Sequence, residues 1–142
     1  MQNRQQAFTL IELLIVIAII GILVAVILSS LSNARGQASE ARIKAELTVV
    51  GKRAFVEESK SKTYDLVCGT NGATQANSIV KQINAVETFS GQTVTCNSTA
   101  DRFALSIPLN SSVHYCVDSA GNRVERGTAL ITTSGSEEYT CQ

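Results

Sequence analysis

At 142 residues the chain has room for one membrane-crossing helix and one small folded head, and for little else. Twelve basic and twelve acidic side chains cancel. From Lys60 onward six basic residues face seven acidic ones, so no basic patch supports nucleic-acid binding. Four cysteines, Cys68, Cys96, Cys116 and Cys141, all fall in the C-terminal part. An even count confined to one side of an apolar segment points to an oxidising compartment and to disulfides that staple a core otherwise marginal in size. A metal site is the poorer reading, because no Cys-x-x-Cys pair exists and His114 is the single histidine.

Residues 8–28 are almost wholly aliphatic. From residue 13 to residue 28 there is no polar side chain, and Gly21 is the one glycine. As a helix, residues 8–30 would span on the order of 30 Å, about the thickness of a bilayer's hydrocarbon core. The run is too long for the apolar part of a secretory signal, and no Ala-x-Ala site follows it. Glu12 is the anomaly. A carboxylate in a spanning segment costs several kcal/mol, so it calls for a partner or a task. The seven residues ahead of the run are short and polar, with Arg4 and no acid, and look like a leader.

The stretch Ala7-Phe8-Thr9-Leu10-Ile11-Glu12, followed by the aliphatic run, resembles the N-terminus of type IV prepilins and of the related pseudopilins. The resemblance is specific from Ala7 to about Ala34. It implies cleavage between Ala7 and Phe8 by a prepilin peptidase that also N-methylates Phe8. It further implies that Phe8, Thr9 and Glu12 serve assembly, with Glu12 as the assembly carboxylate. Two features depart from the pattern: Ala7 stands where the family usually has Gly, and residues 27–30 read Ile-Leu-Ser-Ser where many major pilins carry a proline. The physics of the motif stands on its own. An amine created at Phe8 lies about 6 Å of helix rise from Glu12 and could equally meet the Glu12 of a neighbour. Opposite charges in a low-dielectric medium attract strongly, whereas an isolated one is penalised.

Nothing stops the helix after residue 28. Residues 29–59 contain no proline and are rich in good helix formers, with Gly36 and Gly51 weakening it locally at roughly 1 kcal/mol each. Leu31, Ala34, Ala38, Ala41 and Ala45 form one stripe of mostly small side chains. Ile43, Leu47, Val50 and Ala54 form a second on nearly the opposite side. The bulkier stripe is assigned to the chain's own head and the small one to neighbouring helices. Arg42 with Glu46, and Glu40 with Lys44, are spaced as i,i+4 pairs.

Beyond residue 62 the texture changes. Residues 69–72 are a turn cluster, and residues 74–87 place Ala76, Ile79, Val80, Ile83 and Val86 at helical spacing. Short β-rich runs follow at 92–96, 102–107, 113–117 and 123–125, with a last possible strand within 129–132. Turns are expected at 97–101, 109–112 and 118–122, and Pro108 at a strand end fits an edge. The expected fold is α+β: a long N-terminal helix packed on a small antiparallel β-sheet head, which is also what the pilin resemblance implies. Its parts are a leader (1–7), a membrane and polymerisation half of the helix (8–30), an amphipathic half (31–60) and a disulfide-stapled head (61–142). Of the three possible cysteine pairings, closure of compact neighbouring units favours Cys68–Cys96 and Cys116–Cys141.

Function follows from these parts as an expectation. The first reading is a structural subunit of a type IV pilus-like filament, made as a single-pass precursor in the cytoplasmic membrane with its head outside. Its partners would be identical or related subunits, the peptidase and methyltransferase, membrane lipid before assembly, and an assembly platform. The second is a pseudopilin of a type II secretion system. A DNA-uptake pilin lacks its basic patch, and a membrane-anchored enzyme lacks its residues. His114 has no spaced nucleophile, and residues 118–122 read as a hairpin turn without the ligand count of a calcium loop. No catalytic residue, cofactor or metal is expected.

Overall fold

The computed structural model describes residues 9–110, 112–132 and 137–142. The chain divides into two compact units, Met1–Ala38 and Ser39–Gln142. One helix, α1 (Leu10–Ser61), contributes to both. A single turn, α2 (Asp65–Cys68), and a second helix, α3 (Asn77–Ser90), precede four strands: β1 (Thr95–Ser98), β2 (Phe103–Pro108), β3 (His114–Asp118) and β4 (Arg123–Arg126). The strands form an antiparallel meander in the order β1-β2-β3-β4. This is the α+β arrangement expected, a long helix packed on a small four-stranded sheet.

The second unit has its core between residues 39–61 of α1, α3 and one face of the sheet. Ile43, Leu47, Val50 and Ala54 are all buried, so the bulkier stripe does lie on the head. They join Ile79, Ile83 and Val86 of α3 and Phe103, Leu105, Ile107, Tyr115 and Val117 of the sheet in one cluster. Each such aliphatic side chain, fully buried, contributes about 1.5–3 kcal/mol. Phe55, Tyr64 and Phe103 pack ring on ring, with centroids 5.1–6.1 Å apart. The small stripe is exposed from Leu31 through Ala45.

The other face of the sheet is covered by the C-terminal segment. Leu130 and Cys141 are buried against Ala104 and Cys116. The Leu130 N–H donates to Ser106 Oγ at 3.3 Å, and Asn97 Nδ2 donates to the carbonyls of Ile131 and Glu138, both at 2.8 Å. Both faces of β2 are therefore dry, which is why Phe103 through Ile107 are all buried.

Several expectations are corrected. The helix expected at 74–87 runs Asn77–Ser90, ending where Gly91 takes the left-handed conformation (φ 68°) that caps it. The first strand is shifted: Asn97 and Ser98, expected in a turn, are buried in β1, because Asn97 is needed to hold the tail. Residues 129–132 are not a strand: side chains and a single backbone bond, from the Glu138 N–H to the Ile131 carbonyl at 3.0 Å, hold them in place of a ladder. Pro108 closes an interior strand, but β1 stops pairing at Ser106, so the ladder is open on that side. The Glu40–Lys44 pair does not form; Lys44 reaches across to Glu125 of β4, which also raises its pKa. Gly51 is a contact point as well as a helix weakness, buried against Val117. The single turn α2, capped by Gly69 (φ 75°), was not anticipated.

Candidate assembly site

α1 begins at Leu10 with Thr9 immediately before it. The Thr9 N–H and the Thr9 hydroxyl both donate to Glu12 Oε2 at 2.9 Å, and the Glu12 N–H points back at Thr9 Oγ1 at 3.4 Å. This is a reciprocal capping box; its Thr-x-x-Glu signature is present in the sequence but is masked when Glu12 is read only as a charge in an apolar run. It satisfies backbone donors that would otherwise be orphaned at the end of a helix, a heavy cost in lipid. The helix macrodipole favours an anion at the same place. Both bonds to the carboxylate fall on Oε2, leaving Glu12 Oε1 without a hydrogen bond among the described residues. Ala7 and Phe8, the expected cleavage and methylation positions, lie outside the described residues.

From Leu13 to Leu28 the helix is exposed on every side. Leu13, Ile17, Ile22, Val26 and Leu28 are each more than half exposed. The helix is long and apolar enough to cross a membrane, with none of its most apolar window buried. Gly21 has open space around it, and Ser30 returns its hydroxyl to the Val26 carbonyl at 3.2 Å, within a helix continuous from Leu10.

In the second unit the four cysteines form two disulfides, Cys68–Cys96 and Cys116–Cys141, each with Cα atoms 5.6 Å apart. The first ties α2 to β1. The second ties the tail to the central strand β3, and a neighbouring carboxylate reinforces it. Asp118, fully buried at the end of β3, accepts from the N–H groups of Ala120, Asn122 and Cys141 and from Asn122 Nδ2 at 2.8–3.0 Å. Four donors compensate the burial of this charge. Its position five residues ahead of Arg123 reads as a turn in the sequence; its bond to Cys141 is non-local and leaves no local signal. Arg126 Nη2 holds both oxygens of Glu138 at 3.1 Å, keeping that carboxyl below the usual carboxylate range. Glu57 accepts from the Ser78 hydroxyl at 2.7 Å, a bond that lowers its pKa and joins α1 to α3. His114 lies half-buried on β3. Among the described residues no group of three or more His, Cys, Asp or Glu side chains could hold a metal ion.

A helix long and apolar enough to cross a membrane and a disulfide-stapled α+β head, in one short chain, fit a small protein anchored by its N-terminal helix. A family model described as the prokaryotic N-terminal methylation motif matches residues 2–28. Over 108 residues, 72% of this chain and 88% of the relative, the chain is 34% identical to the type IV narrow pilus major component PilA5 of Thermus thermophilus. The chain belongs to the type IV pilin family. No solved structure matches it.

Proposed function

We propose that the chain is a filament subunit made as a precursor in the cytoplasmic membrane, cut between Ala7 and Phe8, methylated on Phe8, and polymerised through α1. Residues 8–30 are its membrane and polymerisation segment, residues 31–60 its amphipathic segment, and residues 61–142 its extracytoplasmic head. The carrying observation is Glu12, the one carboxylate in an otherwise apolar exposed run, held by Thr9 through Oε2 with Oε1 unengaged among the described residues. In lipid such an acid is costly; beside the new amine of the next copy it becomes an ion pair in low dielectric, and assembly is favoured by the difference. Its role is structural: the chemistry is done to the chain by the peptidase and its methyl donor. The pilus reading is preferred to a short secretion pseudopilus because the relative is a pilus component.

Mass spectrometry of material sheared from the cell surface tests this. A mature N-terminus at Phe8 with one added methyl group, in long fibres, is the expected result. Retention of Met1 through Ala7 in a solitary anchored monomer would refute it, and fibres confined to the periplasm would move the chain to the pseudopilins. Glu12→Ala should insert in the membrane normally and yield no filaments.

A further inference from the structure

The two disulfides are not equally open to solvent. Cys116 and Cys141 are 0% and 2% exposed and pack with Leu130 of the tail. Cys68 and Cys96 are only half-buried. Cys96 lies on β1, an edge strand of the sheet, and fronts a surface pocket of about 240 Å³ whose walls include Thr70, Ser98, Thr132, Glu137 and Tyr139. That volume holds several water-sized groups, enough for a small organic thiol. Disulfide exchange depends on access, because the incoming thiolate must reach a sulfur directly.

The rival site is the end of the chain. Cys141 is the penultimate residue, and chain ends are where order is usually lost. Here the end is held. The Cys141 N–H donates to Asp118 Oδ2 at 2.8 Å, Arg126 Nη2 grips Glu138, and Asn97 Nδ2 donates to the Glu138 carbonyl. A reagent reaches Cys116–Cys141 only when these contacts open together, whereas Cys68–Cys96 already faces the pocket. Reversible exchange also needs the two halves to stay near each other. α2 is tethered apart from its disulfide: the Cys68 N–H donates to Ser98 Oγ at 3.3 Å, the Ala76 N–H donates to the Leu66 carbonyl at 2.8 Å, and Val67 is fully buried in the core.

We propose that Cys68–Cys96 is a thiol-exchange site, entered through the pocket at the β1 edge by a small thiol. The thiolate forms a bond to Cys96 Sγ, the Cys96–Cys68 bond breaks, and its electron pair leaves on Cys68 Sγ, which takes up a proton. The product is a mixed disulfide on Cys96 with Cys68 free beside it. A second thiol resolves the mixed disulfide, so two thiols are oxidised to one disulfide as the chain's bond is reduced. The site belongs to the head alone and does not depend on polymerisation.

The test uses the full-length chain in detergent under native conditions. Limited treatment with dithiothreitol, quenched by alkylation and mapped by mass spectrometry, should label Cys68 and Cys96 about tenfold or more faster than Cys116 and Cys141. Equal rates, or the reverse order, would overturn the proposal. Urea well below the unfolding midpoint should leave the Cys68–Cys96 rate unchanged and speed Cys116–Cys141, since only the second waits for a local opening. A Cys68–Cys96 rate that climbs as steeply with urea overturns the pocket route. Glutathione followed by rapid alkylation identifies the sulfur attacked. Glutathione on Cys96 with the alkyl group on Cys68 supports the site, and the opposite placement overturns it.

Discussion

Gly51→Ala separates helix propensity from packing. In an exposed helix interior the change would stabilise by about 1 kcal/mol. Here a Cβ on Gly51 would lie 2.7 Å from Val117 Cγ1, about 1 Å inside ordinary carbon–carbon contact. Val117 cannot swing away. It is 2% exposed, β-branched with a stiff χ1, and its strand is paired on both sides, to Leu105 of β2 and to Arg123 of β4. Overpacking of this kind costs about 1–3 kcal/mol. The net effect expected is therefore a loss of up to about 2 kcal/mol, or as much as several degrees in Tm for a head of this size. The assay is thermal unfolding of the full chain in detergent with both disulfides intact, followed by circular dichroism. Val117→Ala removes the offending methyl and leaves Val117 Cβ 3.8 Å away, an ordinary contact, so Gly51→Ala in that background should be neutral or stabilising. Gly36, with nothing within 4 Å, is the control where the same substitution should not destabilise. A higher Tm for Gly51→Ala in the wild-type background would refute the packing argument.

Four other outcomes are expected. Asp118→Ala strands the N–H groups of Ala120, Asn122 and Cys141 and should cost about 3 kcal/mol in urea unfolding. Replacing Cys116 and Cys141 together by Ser should cost about 2–4 kcal/mol, with hydrogen exchange rising first in residues 137–142. Glu138 has a folded pKa below its unfolded value, so its contribution is complete above the unfolded value near 4.5 and is lost as pH falls through the lower folded one. Urea midpoints between pH 7 and pH 3 should show that loss, and Glu138→Gln should flatten it. Thr9→Ala should fray the first turn of α1, seen as faster amide exchange, while Thr9→Ser should not.

What the sequence displayed most clearly was whatever repeats locally. The stripe Ile43, Leu47, Val50, Ala54 announces a buried helix face because burial there depends only on a period of 3.6, and the structure buries all four. Residues 102–107 read as a strand from an equally local signal, a short β-rich run bounded by turn residues. The tail did not announce itself. Its cover of the outer sheet face is made by Asn97, Ser106, Asp118 and Arg126 bonding to backbone or side chains 12 to 41 residues away, and no local period records such bonds. The same failing put Asn97 in a turn: a polar residue in a short run looks like a loop unless its distant partner is known. Lys44 paired with Glu125 for a related reason, since an i,i+4 partner offers only a few tenths of a kcal/mol in water and any better-placed acid from another element displaces it. At the candidate assembly site, the capping role of Thr9 is legible in principle, because Thr-x-x-Glu ahead of an apolar run is a helix-start signature.

The two disulfides differ in what they make possible. The meander is thin, and a single sheet face against α1 and α3 would leave Ala104, Ser106, Cys116 and Asp118 to solvent. All four are instead fully buried by a tail that has no secondary structure of its own among the described residues. A coil segment cannot hold such a position by backbone pairing, since it offers no ladder, so its attachment must come from point contacts. Cys116–Cys141 supplies the covalent one at the chain's end, Leu130 with Ser106 supplies the entry, and Arg126 with Glu138 lies between. Cys68–Cys96, by contrast, joins α2 to a strand already in a ladder and closes the helix-side core. Reducing the second bond in place should therefore free the tail and wet the outer face before the α1-side core yields, whereas losing the first should loosen α2 and β1 with the tail still bound. Hydrogen-exchange mapping after single-bond replacement distinguishes these orders, and simultaneous loss of protection on both faces in both variants would show that the head unfolds as one cooperative body.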